Sequence, residues 1–438
     1  MKPFKLSDKL LFGTATASVQ NEGGDTKNNW YRWSEQGKIA NNESCITGTD
    51  HYNRYAEDID IMTTLNQDVY RMSLEWSRFE PEQGIWDPEA VEHYRAEISL
   101  LLEKGIKPLV TLHHFTAPIW FDDEGGWVNP KSVEYFQRYT EKVVNELGDL
   151  VSEFCTINEP NVLVQGAYME GNHPPGHKDD MKGYFKASKH LILSHLKAYK
   201  LIHRIRKERG FEGETKVGFA HHIAIFEVVT KNPLTRLSKF SMDYAFHRIY
   251  LDGMIEGHLD FPMGGAYPEG KGTFCDFFGL NYYSRHIIKS SMNPAMLFGD
   301  VTVDDTLGED RLNDLGWEIY PEGMHIILKK MYDKYKLPIY ITENGIADHD
   351  DSHRAKFLYD HLKVVQQLIE EGVDIQRYYY WTLTDNFEWD LGYAPRFGLV
   401  DIDYDNNMKR TIRKSGYLYG EISREKAITQ AMIDKYLS

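Results

Sequence analysis

Three observations predict an α/β fold, a single (β/α)8 (TIM) barrel over residues 1–438: eight short β-rich apolar runs, amphipathic helical patterns between them, and no linker or internal repeat. In order the runs are "LLFGTAT" from Leu10, "DVYRMSLEW" from Asp68, "KPLVTLHH" from Lys107 and "EFCTINE" from Glu153. "KVGFAHH" from Lys216, "DFFGLNYY" from Asp276, "LPIYITEN" from Leu337 and "IQRYYYWTLTDN" from Ile375 complete the set. Strands so nearly continuous in apolar residues suit a parallel sheet buried on both faces. Between them, helices are expected over Tyr52 to Asn66, Pro88 to Lys104, Pro130 to Leu147, Met181 to Arg209, Pro321 to Tyr335 and Ser352 to Glu371. Several open on a proline, which suits the first helical position because its missing N–H would be unpaired there anyway. Length alone suggests about three domains of ~150 residues, but α/β barrels stay single at this size. No Pro/Ser/Gly-rich seam or charge block divides the chain.

Composition excludes several function classes. Against 50 basic residues stand 66 acidic ones, a formal charge of -16, which repels phosphate backbones and offers no basic face to nucleic acid or an anionic membrane. Cys45, Cys155 and Cys275 are odd in number and far apart, so neither a disulfide framework nor a zinc cluster is expected, and no cofactor or metal is called for. The N-terminal "MKPFKLSDKLLFGTATA" has no long apolar core of a secretion signal, and no run of 18 apolar residues occurs, so a cytoplasmic protein is expected. Aromatic residues make up 13 %, with 9 Trp and 28 Tyr, which serves either packing or a cleft whose rings stack on a partly apolar ligand such as a sugar.

A (β/α)8 barrel builds its site at the C-terminal ends of its strands. Those ends carry Arg71 and Glu75 on the second strand, His113 and His114 on the third, Asn158 and Glu159 on the fourth, Asn281 and Tyr283 on the sixth, Glu343 and Asn344 on the seventh, and Trp381 on the eighth. Strands four and seven face each other across eight, so Glu159 and Glu343 are expected to oppose one another. Two facing carboxylates roughly 5 Å apart suit hydrolysis of a glycosidic bond with retention, and at roughly 6.5 to 9.5 Å with inversion. A nucleophile must stay ionised while a general acid holds its proton. Arg71 and Tyr283 could hold one carboxylate charged, but the residues alone leave open which glutamate does which.

The motifs go further. "FGTATASVQNEGG", "RMSLEWSR", "LHHFTAP", "TINEP", "GLNYYSR", "LGWEIYPEGM", "ITENG" and "YWTLTDNFEWDLGYAPRFGLVDIDY" follow one another in an order and spacing that resembles glycoside hydrolase family 1, the retaining β-glucosidases and β-galactosidases. "NEP" alone is weak, being shared by related barrel glycosidases; eight ordered motifs are specific. The resemblance implies Glu159 as acid/base and Glu343 as nucleophile, with Arg71 and Tyr283 holding the nucleophile and Asn281 nearby. It also implies that Asn158 bonds the sugar 2-hydroxyl and that Gln20, His114 and Glu388 bind the 3-, 4- and 6-hydroxyls. Trp389 and Trp381 would be donor and stacking floor, and Trp317 a platform under the leaving group.

Five positions depart from the family pattern: Phe12, Val19 and Asn21 around the first motif, Phe115 after the sugar-binding histidine, and Glu75 in "RMSLEWSR". The floor beside Gln20 and the back of the pocket are expected to differ accordingly. The implied activity is that of a retaining exo-β-glycosidase on short β-glycosides or oligosaccharides, with β-glucosidase leading and galactoside or fucoside left open. Alternatives are a non-catalytic sugar-binding barrel, an endo-acting barrel sharing "NEP", and a 6-phospho-β-glycosidase, against which Glu388 and Trp389 argue.

Overall fold

The computed structural model describes residues 1–228, 232–291, 299–304 and 306–437. Every one of the eight runs forms a strand: β1 (Leu11–Ala15), β2 (Val69–Ser73), β3 (Lys107–His113), β4 (Glu153–Asn158), β5 (Lys216–His222), β6 (Phe278–Asn281), β7 (Ile339–Asn344) and β8 (Ile375–Trp381). Neighbours pair in parallel in chain order, and β8 closes on β1, giving a closed eight-stranded barrel. The strands are buried almost throughout because helices cover them outside and side chains fill them inside. At Gly13 the neighbouring strand leaves no room for a side chain, since a Cβ there would lie 1.8 Å from the Val69 carbonyl oxygen.

Helices lie close to their expected bounds at His51–Thr64, Pro88–Glu103, Met181–Arg209, Pro321–Tyr335 and Arg354–Glu370. The third starts at Ser132 instead of Pro130. Asn129 Oδ1 accepts the Lys131 N–H at 3.0 Å, so a side-chain-closed turn holds Pro130 ahead of the helix. Elements absent from the sequence reading include helices Pro233–Asp243, Ile249–Glu256 and Lys414–Glu425, the last covering the outside of β1 through Tyr419, and the hairpin Val400–Asp403 with Lys409–Ile412. Among the described residues no helix is long and apolar enough to cross a membrane.

A buried ion cluster fastens helix His51–Thr64 to its surroundings. His51 Nδ1 lies 2.7 Å from Asp58 and Nε2 3.0 Å from Glu97, while Arg410 donates to Asp58 at 2.8 Å. Burial alone would lower the His51 pKa, but the charges and hydrogen bonds of Glu97 and Asp58 outweigh it and push it up to about 10. A pKa raised on folding adds stability that is complete below the unfolded value of ~6.5 and is lost as pH climbs toward the folded one. Thermal denaturation of the wild type and of His51→Gln is therefore expected to differ most near pH 6, with the gap closing steadily to pH 10; a gap constant with pH would contradict the ion cluster.

Candidate active site

Both strands that end in the facing glutamates break register just before them. The β4–β5 ladder shifts between Cys155 and Asn158, and the β7–β6 ladder between Ile341 and Glu343. Such slips re-aim the side chains that follow, here into the barrel mouth. Glu159 then takes a left-handed backbone, φ 40° and ψ 60°, a conformation that costs a non-glycine residue ~1–2 kcal/mol. Its N–H donates to the Ala220 carbonyl at 2.8 Å, and Pro160 starts the helix that leads away.

Arg71 is wholly buried beneath the two carboxyls. Its Nη1 donates to Glu343 Oε1 at 2.5 Å and to the Thr342 carbonyl at 3.2 Å, Nη2 donates to Asn158 Oδ1 at 2.6 Å, and Nε to Thr111 Oγ1 at 3.2 Å. Tyr283 Oη donates to Glu343 Oε2 at 2.6 Å, so both oxygens of that carboxyl are held. Asn281 Nδ2 donates to Glu159 Oε1 at 2.7 Å and to Asn158 Oδ1 at 3.1 Å, while its own Oδ1 accepts from Thr342 at 2.6 Å.

This unequal bonding separates the two carboxyls electrostatically. Burial raises the pKa of both, but at Glu343 the charge of Arg71 and the hydrogen bonds of Tyr283, Arg71 and Asn281 pull back toward the ionised form. Glu159 is pushed well above the ordinary carboxylate range, by burial first and by the negative charge of Glu343 second. Both carboxyls stay shifted upward, Glu159 further than Glu343, so of the two Glu343 ionises the more readily.

Around the pair lies a cavity of about 400 Å³ lined by His114, Trp381, Glu388, Trp389, Trp317 and Phe397 among others. His114 sits against Trp381 and Trp389, with ring centroids 5.8 and 5.9 Å away. Asn158 Nδ2 donates to His114 Nε2 at 2.9 Å, which assigns the ring proton to Nδ1, a buried donor with no protein partner. Gln20 mirrors it: Nε2 donates to the Phe387 carbonyl at 2.8 Å and to Glu388 at 3.4 Å, while the buried Oε1 has no partner. This donor and this acceptor, beside the cavity walls, are available to a polar ligand. Glu388 is pushed up to about 8 by burial and by the charges of Glu343 and Asp390.

The expected set is thus assembled in one place, with Trp317 at the mouth, edge-on to Tyr283 at 5.9 Å. Some expectations need correction. His114, Glu159 and Tyr283 lie just past the ends of β3, β4 and β6. Phe12 does not border the floor beside Gln20: it lies on the outer wall of β1, packed on Tyr378 and Tyr419 at 5.9 Å. Glu75 is not on β2 but beyond it, capping the short helix Trp76–Phe79, and its carboxyl accepts from Ser18, Thr116 and Ser77 beneath the cavity wall. Phe115 does line the cavity, packed on Trp389 at 4.9 Å. His113, by contrast, points away, edge-on to Trp127 at 5.1 Å. Further lining residues were missed, among them His222, His173 and Phe397. His222 ends β5, where the close of "KVGFAHH" is the signal that marks it, and its Nδ1 lies 3.7 Å from Glu159 Oε1. His173 and Phe397 sit on loops, where no sequence pattern distinguishes them.

Fold and site together define a carbohydrate-cleaving barrel enzyme. The model of glycosyl hydrolase family 1 matches residues 3–428, and the chain belongs to that family. "Beta-glucosidase A" of Thermotoga maritima is 33 % identical over 457 residues, covering 97 % of this chain and 99 % of that protein. Among solved structures, the beta-glycosidase from Pyrococcus horikoshii superposes with a TM-score of 0.89 at 37 % identity, covering 99 % of this chain and 98 % of that one. Beta-glucosidase from Thermotoga maritima in complex with glucoimidazole follows at 0.86 and 31 %, covering 96 % and 99 %.

Replacing Glu343 by Gln removes the charge that, after burial, does most to hold a proton on Glu159. Carbon-13 NMR titration of the Glu159 carboxyl is expected to show a lower pKa in Glu343→Gln than in the wild type; an unchanged midpoint would contradict the coupling.

Proposed function

We propose that the protein is a retaining exo-β-glycosidase that removes terminal non-reducing β-D-glucosyl units, with Glu343 as nucleophile and Glu159 as acid and then base. The observation that carries the reading is the unequal environment of the two glutamates. Glu343 is an anion pinned on both oxygens by Arg71 and Tyr283, ready to attack the anomeric carbon. Glu159 carries the proton that the departing oxygen needs. Asn281, which pairs with Glu343 across the β6–β7 ladder, donates to Glu159 at 2.7 Å and so links the two carboxyls, and the retaining outcome is supported by the family to which the chain belongs. After the first step Glu159, now ionised, takes a proton from the water that releases the sugar, so each group ends as it began.

For the sugar, His114 Nδ1 and Gln20 Oε1 supply a donor and an acceptor at the back of the cavity, Asn158 lies beside the nucleophile for the 2-hydroxyl, and Glu388 is placed for an outer hydroxyl. Trp381 and Trp389 form apolar walls for the ring faces. A 6-phosphorylated sugar is disfavoured. Among the described residues the cavity presents Glu159, Glu170, Glu343, Glu388 and Asp390 but neither lysine nor arginine, and burial holds His173, His222 and His286 neutral, with pKa values pushed down to about 4, 3 and 4. Gluco- and galactosides differ at one hydroxyl, and the same His114 and Gln20 atoms face both.

On p-nitrophenyl β-D-glucoside, Glu343→Gly is expected to lose at least about a thousandfold in kcat, while proton NMR of the wild-type reaction shows β-glucose as the first anomer. Substantial turnover by the variant, or α-glucose appearing first, would overturn the assignment. The 6-phosphoglucoside is expected to react far more slowly than its neutral counterpart.

A further inference from the structure

A single buried carboxyl takes hydroxyl protons from the first three loops of the barrel mouth. Glu75, which follows β2, has no exposed surface. Its Oε2 accepts from Ser18 Oγ and from Thr116 Oγ1, both at 2.8 Å, and its Oε1 accepts from Ser77 Oγ at 2.7 Å and from the Ser77 N–H at 3.4 Å. Ser18 follows β1 and opens the short buried helix Ser18–Asn21, whose third residue is Gln20. Thr116 follows β3, two residues beyond His114. Between His114 and Thr116, Phe115 takes a left-handed backbone, φ 68°, which a bulky residue keeps only where its flanks are held. The tips of Gln20 and His114 are aimed by the Phe387 carbonyl and by Asn158. The chain segments that carry them are tied to one and the same oxygen of Glu75.

The donors to this carboxyl are neutral, and its nearest charged neighbours are acidic. Asp25 Oδ2 also lies 2.6 Å from Ser77 Oγ, and Glu22 stands close by, held by Arg78 and by Tyr94 Oη at 2.7 Å each. Ser77 has one hydroxyl proton for two carboxyls, so both of its contacts are hydrogen bonds only when one carboxyl is protonated. Burial first and the charge of Asp25 second push Glu75 up to about 7. A carboxyl in such a place is costly unless its bonds are used, and an apolar side chain there would remove the acceptor that Ser18 and Thr116 share. We infer that Glu75 is a positioning residue for sugar recognition: by fixing the first and third loops to one carboxyl, it sets Gln20 and His114 at the spacing that neighbouring hydroxyls of the sugar require. This rests on the glycosidase reading above, since only a bound sugar gives that spacing a function.

The test measures kcat/KM of the wild type, Glu75→Ala and Glu75→Gln on p-nitrophenyl β-D-glucoside and on its 3-deoxy and 4-deoxy analogues. In the wild type each missing hydroxyl is expected to cost at least about tenfold. Glu75→Ala is expected to lose at least about tenfold on the parent glucoside and less on the analogues, so that the cost of a missing hydroxyl shrinks to about threefold or below. In Glu75→Gln the amide oxygen can accept from Ser18 and Thr116 while the NH2 donates to Ser77, and the wild-type cost is expected to return. Thr116→Val, which removes one hydroxyl at nearly constant shape, is expected to shrink the cost of the 4-deoxy change and serves where the alanine variant does not fold. A cost per hydroxyl that stays at the wild-type size in Glu75→Ala and Thr116→Val, or that the glutamine fails to restore, overturns the positioning role and leaves the glycosidase standing. No hydrolysis of the parent glucoside by the wild type overturns both.

Discussion

The site depends on one buried cation. Arg71 has no exposed surface, and a guanidinium in such a place is tolerable only when its charge and its donors are matched. Glu343 supplies the charge; Asn158, Thr111 and the Thr342 carbonyl take the remaining donors. Losing one partner of a buried pair costs roughly 3–5 kcal/mol, since the other charge is then left uncompensated. The same contact that stabilises the barrel mouth therefore fixes the position of the Glu343 carboxyl and draws it toward the ionised form. It also orients Asn158, whose amide reaches His114, so catalytic and sugar-binding groups share one hydrogen-bonded frame.

From that frame the raised pKa of Glu159 follows. A second anion beside Glu343, in a site this deeply buried, is unfavourable, and the direct donor to Glu159 is the neutral Asn281 amide. Burial strips the neighbouring histidines of their protons for the same reason, so His114, His173 and His222 act as neutral donors and acceptors. The left-handed backbone of Glu159 fits this picture, because local strain persists where surrounding bonds over-determine it, and its N–H and side chain are both held.

Much of this was legible in the sequence, for reasons that are local. Apolar strands and amphipathic helices announce themselves by periodicity, which is how all eight barrel strands could be placed, and a glutamate or arginine at the end of an apolar run conflicts with burial unless it has partners. Side-chain direction was harder to read. Phe12 and Gly13 are adjacent on β1, yet nothing in their order says that Phe12 faces outward to Tyr419. Glu75 follows β2 closely, but a turn into a short helix carries it behind the wall. The register slips that aim Glu159 and Glu343 are properties of two paired strands, and no single segment encodes them. His173 and Phe397 come from loops whose meeting is decided by the assembled barrel.

The claim on which the account turns is that Glu343, and not Glu159, forms the bond to the sugar. Incubating the wild-type enzyme with 2,4-dinitrophenyl 2-deoxy-2-fluoro-β-D-glucoside slows both steps but leaves a good leaving group, so the intermediate accumulates and can be located by peptide mass spectrometry. A single fluoroglucosyl adduct on the peptide carrying Glu343, formed with loss of activity, is the predicted result. An adduct on Glu159, or inactivation-free turnover with no adduct at all, would contradict it.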